Sequence, residues 1–482
     1  MKRKYILPLL LPALLGFSAC EKWLNVQPRD KVSEEKLYTT EEGFNSSLNS
    51  VYLDMTSKWS YGGQMTMELM EILGHNFSVN TTHQLTMLSA FNYGTDTARA
   101  RFGMLWREHY KLVANVNLIL SAIDERRQVF SDERNYRHMK GEAYGLRAYL
   151  HFDLLRLFGP VYATADSVNK SIPYNRAFDT RYTGLSPANE VMDLVLSDLD
   201  SAALLLNDDP IIAGGPMYNA DPTGGSNFWR MRPLRMNYYA VKGLQARVHL
   251  YRNNKPAALA AALSVIEAQA GRFPFVTGTQ VSGNRAAPNR VFHTEVLFGL
   301  HDMRMNQKQL AYFDAELAPN RILAPNDARL NAIYENNTAD YRFSNVIWAV
   351  PGNGSKTHRC FYKYDEMERK DSVYRNFLPL IRIAEMYYIA AECDDNPETA
   401  LAALNTVRKN RGLLDLPPTA NLANEIGNEY RREFYGEGQL FFYNKRLFIT
   451  KMRNGTSATG TVDMTTGKYC PPIPEEEIRY RD

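Results

Sequence analysis

The chain has 482 residues, with 56 Lys+Arg against 53 Asp+Glu, a net charge of +3, and 12% aromatic residues. Charges this evenly balanced, with no basic block or charged tail, argue against nucleic acid as a partner. The length allows one large domain or two to three ordinary ones.

Lys2, Arg3 and Lys4 precede a mostly apolar run at 5–17, then Ser18, Ala19 and Cys20. The run is too short to span a membrane and is interrupted by Pro8 and Pro12, so 1–19 reads as an export signal. Cys20 after two small residues resembles a bacterial lipobox, with Phe17 where Leu is commoner. Acyl chains on Cys20 would anchor the remaining 463 residues (482 − 19) firmly, since each buried methylene adds about 0.8 kcal/mol. Cleavage near Ala19 by an ordinary signal peptidase is the alternative. Cys360, Cys393 and Cys470 are an odd set with no CxxC, which predicts neither a disulfide framework nor a zinc site.

After Trp23 and a polar stretch, Thr39 with Glu42 three on fits a capping box for a helix through Phe44, Leu48, Val51, Tyr52 and Met55. Residues 57–96 are rich in Gly, Asn and Thr and predict an irregular excursion; 98–125 predicts a long helix. The stretch 141–160 carries two apolar faces, one through Ala143, Leu146, Leu150, Leu154 and Leu157, the other through Tyr144, Ala148, Phe152 and Leu155. A helix apolar on two sides is sandwiched between others. Gly145 and Ala148 leave room for a close neighbour, Asp153 and Arg156 are spaced to pair, and Gly159-Pro160 stops the helix, with Gly159 able to take a left-handed cap.

Pro187 marks a further helix start, and 207–232 is a loop containing Tyr218, Phe228 and Trp229. Two helix hairpins follow, at 236–271 and 378–411, each with a Tyr/Ala-rich first helix and an Ala-rich second, like tetratricopeptide units. Between them, 295–301 and 345–350 are candidate strands within a loop-rich stretch. Residues 429–448 predict a helix broken at Gly436 and Gly438, and 471–478 an extended tail. The expected fold is mainly all-α: helix pairs at 41–271 and 376–450, with a loop-rich insert at 272–375 carrying a few short strands.

No HExxH, Walker loop, GxGxxG or GxSxG occurs, and no calcium loop is complete. No catalytic residue, metal ligand or cofactor is therefore expected, although paired carboxylates for glycoside hydrolysis need only spatial proximity.

Six blocks in order resemble the SusD/RagB family: Cys20 to Pro28; Glu41-Glu42-Gly43-Phe44 to Tyr52; the 141–160 stretch; Ile381-Arg382 to Glu385 and on to Ala391-Glu392; Arg431-Arg432-Glu433 through Glu437-Gly438 to Arg446; and Pro472-Ile473-Pro474 with Glu477-Ile478. Departures are Val161-Tyr162, where Val-Pro is common, and Tyr443-Asn444, where Asp-Leu is usual. The resemblance implies a single domain at 20–482. It also implies a non-catalytic, surface-exposed lipoprotein of the outer membrane that hands glycans, or in some members peptides, to a SusC-like TonB-dependent transporter. Other readings are a surface-anchored glycoside hydrolase and a tetratricopeptide scaffold that binds only protein.

A sugar site needs aromatic platforms beside amide, acid or guanidinium groups, and loops on a rigid scaffold are where binding residues concentrate. Trp106, inside a long helix with Leu105 and Tyr110, reads as core, and Trp23 lies beside the anchor. Ligand candidates are Trp59, Tyr61, Tyr218, Phe228, Trp229 and Trp348, with Asn76, Asn80, Asp221, Asn227 and Arg230 as polar neighbours. Trp59 and Trp229 are the foremost platforms.

Overall fold

The computed structural model describes residues 34–479 except 164, 180, 224–226 and 353–355. The export signal, Cys20 and Trp23 lie outside the described residues.

Helix dominates, and strands come only in short antiparallel pairs among the described residues. The long helices Asp96–Ile123, Glu133–Phe158, Ala188–Leu205 and Tyr238–Tyr251 pack each on the next, and Tyr238–Tyr251 forms a hairpin with Lys255–Glu267. Lys255–Glu267 then packs on Ile383–Cys393, which pairs with Pro397–Lys409 and touches Leu422–Glu433. The two hairpins expected to be tetratricopeptide-like are thus neighbours in space although more than a hundred residues separate them in sequence. The array is continuous and the insert leaves it and returns.

The return is closed by a neck. Strand Val296–His301 pairs antiparallel with Phe377–Arg382, Val296 opposite Arg382 and His301 opposite Phe377. Residues 377–382 are therefore strand where a helix start was expected. Their apolar run fits either element, and the partner strand decides it. The insert also contains helices Met305–Tyr312 and Asp327–Ile333, read as loop from sequence, and one of its expected strands is reduced to Trp348–Ala349.

Glu133–Phe158 is buried all round from Leu146 to Phe158, as its two apolar faces require. Met236 presses against Gly145. Arg156 Nε donates to Asp153 Oδ1 at 3.0 Å, inside the core and not at an exposed edge. Gly159 is extended (φ −71°, ψ 172°) and not left-handed, yet its N–H still donates to Leu155 O at 2.8 Å. The first cap also shifts by one residue: Thr40, not Thr39, accepts from Gly43 N and starts Glu41–Met55. Gly436 and Gly438 break the helix as expected, with φ +74° and +70°, separating Leu422–Glu433 from Gln439–Arg446. At Gly438 a Cβ would also collide with the Met65 carbonyl. The tail at 471–478 ends in a short helix, Glu475–Ile478. Trp106 is core, 1% exposed. Among the described residues no helix is long and apolar enough to cross a membrane.

Candidate functional site

The residues singled out from sequence separate sharply once their surroundings are known. Trp348 is 1% exposed, wedged between Phe361 at 4.7 Å and Tyr435 at 5.0 Å, because the pairing Trp348 to Phe361 turns its ring inward. Tyr61 is packed between His109 and Tyr149. Asn76 is buried and its Nδ2 donates to Glu71 Oε2 at 2.7 Å. These three candidates offer a ligand no surface. The reason is common to them: the irregular segments fold back on the scaffold, and 60–73 is buried throughout.

The loop at 215–231 holds the next group. Tyr218 is half-buried against His293 at 4.8 Å. Phe228 lies under the Arg235 guanidinium at 3.7 Å, and Trp229, half-buried, meets Phe228 edge-on at 4.5 Å and His138 at 5.6 Å. Arg230 Nε donates to Asn219 O, Asn227 Oδ1 accepts from Asp221 N, and Asp221 Oδ1 accepts from Thr223 N, so these polar groups tie the loop to itself. Asn80 is exposed, its Oδ1 accepting from Thr82 N.

Trp59 stands differently. It is half-exposed in the turn that follows Glu41–Met55, with the Lys58 ammonium 5.1 Å from its ring centre. The turn doubles back through Gly62 and Gly63, whose carbonyl accepts from Met67 N and Glu68 N. A Cβ on Gly63 would stand 2.8 Å from the Tyr312 hydroxyl, so glycine there lets Tyr312, at the end of Met305–Tyr312, close against the turn. Tyr312 is half-buried, packed against the core as Tyr218 and Trp229 are. Both rings border one turn.

Polar groups gather beside them. Glu68 accepts from Arg101 Nη1 at 2.5 Å and from Gln64 Nε2, and Arg101 also reaches Gln64 Oε1 at 3.3 Å. Burial, with the Glu68 charge adding to it and Arg101 opposing, raises the Tyr312 phenol well above its ordinary range, so it remains a hydrogen-bond donor at neutral pH. His83 is lowered by burial, against the backbone of Arg321 and Ile322, and stays neutral. Two backbone bonds strap the neighbouring loops together, Gln84 N to Asn320 O at 2.9 Å and Ser78 N to Ala324 O at 2.8 Å, and leave Asn80, Thr82, Asn320 and Arg321 exposed on the same side. The result is two half-buried aromatic rings beside Arg101, which the buried Glu68 and Gln64 hold in place from behind, with exposed amides and an arginine beyond. It can stack on an apolar face and hydrogen-bond to a polar rim. Tyr312, Glu68, Arg101 and Gln64 were not legible as site residues; only the long-range contact of Gly63 with Tyr312 assembles them. Among the described residues no cluster of three or more His, Cys, Asp or Glu could hold a metal ion.

Comparison with known proteins places this face on a known scaffold. The family described as starch-binding and associating with the outer membrane matches residues 22–214, and the SusD family matches residues 301–478. The chain belongs to the SusD/RagB family. A SusD-like protein of Formosa agariphila is 24% identical over 502 aligned positions, covering 89% of this chain and 88% of its own length. A SusD superfamily structure from Bacteroides thetaiotaomicron superposes with a TM-score of 0.74 at 19% identity, covering 92% of this chain and 98% of its own. A SusD-like carbohydrate binding protein from Bacteroides vulgatus superposes with a TM-score of 0.68 at 17% identity, covering 92% and 96%. At these identities the superpositions show that the SusD/RagB structures share the fold with this chain.

Proposed function

We propose that this SusD/RagB protein captures a glycan at the Trp59–Tyr312 face and passes it, without cleaving it, to a SusC-like TonB-dependent transporter of the outer membrane, to which Cys20 anchors it. The observation that carries the reading is the pair of half-buried rings bordering one glycine turn beside Arg101, which Glu68 and Gln64 hold from within. The carbohydrate-binding description of the Bacteroides vulgatus neighbour supports the ligand class. Family membership supports the surface location and the transporter partner.

The test is calorimetric titration of the mature protein with a panel of neutral and acidic oligosaccharides, followed by product analysis. A ligand that stacks on these rings should bind roughly 1–3 kcal/mol more weakly to Trp59→Ala and to Tyr312→Ala, as central aromatic contacts do. The oligosaccharide should be recovered intact. Unchanged affinity in the double variant would move the site elsewhere, and release of shorter products would replace the binding role with a hydrolase.

Anchoring has its own expected outcome. Mild detergent extraction of outer membranes should bring a TonB-dependent transporter out with the protein, and Cys20→Ala should release the protein from the membrane fraction. A Cys20→Ala protein that remains anchored and acylated would remove Cys20 from this role.

A further inference from the structure

A cavity of about 440 Å³ lies along the outer side of Glu41–Met55, between that helix, the end of strand Val296–His301 and residues 227–235. Its size falls in the range of small-molecule sites. Phe228, Tyr52 and Leu300 supply apolar wall, and Glu42, Asn45, Asn49 and Arg235 supply polar wall. It is separate from the Trp59–Tyr312 face, with which it shares no residue, and does not rest on the reading given to that face.

Two polar atoms in its wall lack partners. Arg235 is 6% exposed: its Nε donates to Glu142 Oε2 at 2.9 Å and its Nη1 to Asn49 Oδ1 at 2.7 Å, while Nη2 is buried without an acceptor. Asn45 is 8% exposed: its Nδ2 donates to Glu42, while Oδ1 is buried without a donor. Buried polar groups are nearly always paired, and each unmet one costs about 1–3 kcal/mol. Both atoms lie just behind the cavity surface, so an occupant meets this donor and this acceptor when the Arg235 and Asn45 side chains turn toward it. Asn49 Oδ1 is committed to Arg235, which leaves Nδ2 as that amide's donor.

Charge decides the class. Behind the wall, Arg232 and Arg235 face Glu142 and Asp209, with Arg232 bonded to both acids and Arg235 to Glu142. The Tyr52 hydroxyl is spent as well, donating to Glu142 and accepting from Met236 N. Two cations and two anions cancel, so Arg235 presents a donor without net attraction for an anion, and Glu42 adds negative charge at the mouth. We propose that this cavity is a second carbohydrate site, taking one neutral pyranose ring whose apolar face lies against Leu53 and the edge of Phe228 and whose hydroxyls meet Asn45, Asn49 and Arg235.

The test uses the mature protein with methyl α-D-glucopyranoside, methyl β-D-galactopyranoside and methyl β-D-glucuronide, read by saturation-transfer NMR and titrated for Kd. Arg235→Ala would strip a partner from buried Glu142, so the variants are Phe228→Ala and Asn45→Ala, each checked for its circular dichroism spectrum. At least one neutral glycoside should show saturation transfer and bind at least fivefold tighter than the glucuronide. Phe228→Ala or Asn45→Ala should weaken it at least tenfold. The Trp59→Ala/Tyr312→Ala double variant should keep it within twofold. Water as the only occupant, seen as no transfer from either neutral glycoside at tens of millimolar, overturns the proposal. So does tighter binding of the glucuronide, or binding that survives both cavity variants and disappears in the double variant. If Phe228→Ala does not fold, Asn45→Ala decides.

Discussion

Replacing Glu433 with alanine should lower the folding stability by about 3–5 kcal/mol, the range for removing one partner from a buried ion pair. Glu433 is 2% exposed and holds three arginines at once. Its Oε2 accepts from Arg411 Nε at 3.0 Å and Arg342 Nη1 at 2.8 Å, and its Oε1 accepts from Arg411 Nη2 at 2.7 Å and from Arg382 Nη1. Burial alone would raise its pKa; the guanidinium groups of Arg411, Arg382 and Arg342 overcome that and hold the carboxyl well below its ordinary range. These arginines come from the neck strand, the insert and the loop after Pro397–Lys409, so one carboxylate joins the insert to both ends of the second hairpin. Without it, three cations remain in a site closed to water. Glu295, Glu429, Glu437 and Asp340 still pair with them, but Glu429 also serves Arg408 and Arg432 and Glu437 also serves Lys363, so the remaining acids are shared among six cations. Urea denaturation followed by circular dichroism measures the loss. A midpoint and slope within about 1 kcal/mol of the parent would show that these pairs are not worth what their burial implies.

The same network explains why family and fold were legible while the ligand was not. The blocks that carried the resemblance contain Glu142, Arg147, Arg382, Glu385, Glu392, Arg432, Glu433, Glu437 and Arg446. In the structure these are largely the internal charge pairs: Arg147 with Asp198, Arg247 with Glu385, Arg446 with Glu392, Arg382 with Glu433 and Glu437. They specify how helices and insert join, which all members of a fold must do, and lie away from the loop face. Helices longer than three turns were legible because a 3.6-residue period persists over many residues. Short elements were not. Residues 377–382 became strand through a partner some eighty residues earlier, and Met305–Tyr312 is too short to show a face.

The candidate site was half legible for a related reason. Composition marks an irregular segment, but the direction of one ring within it depends on what the segment packs against. Trp59 and Tyr61 are two residues apart in the same turn; Trp59 faces out and Tyr61 is buried on Tyr149. Trp348 and Phe361 fill the inside of the insert because their strands pair there. Nothing local to 57–68 announces Tyr312, whose approach is recorded only by the absence of a side chain at Gly63.

Glu71 should make the protein less stable as the pH rises from about 4.5 to 7, by about 3 kcal/mol in total at about 1.4 kcal/mol per pKa unit. The residue is fully buried at the junction of Leu69–Leu73 with the glycine break. Its Oε1 accepts from Gly438 N at 2.8 Å and its Oε2 from Asn76 Nδ2 at 2.7 Å. Burial raises its pKa from 4.5 to about 7, the two hydrogen bonds lowering it only in part. Between those values the folded chain holds a proton that the unfolded chain has released, so stability is greatest below 4.5 and falls until the pH passes 7. His151 and His293, both lowered by burial to about 4, act in the opposite sense: unfolding lets them take up protons below their ordinary 6.5, so they add stability as the pH rises from about 4 to 6.5. The slope of the parent protein is therefore a sum, and the difference from Glu71→Gln isolates one group. Glutamine keeps an oxygen for Gly438 N, and its amide can donate to Asn76 once the Asn76 amide turns over. Glu71→Gln should gain stability relative to the parent between pH 5 and pH 8, measured by urea denaturation at both. A difference that stays constant across that interval would mean that Glu71 ionises in the folded protein at its ordinary pKa, and that the Gly438 and Asn76 hydrogen bonds fully offset its burial.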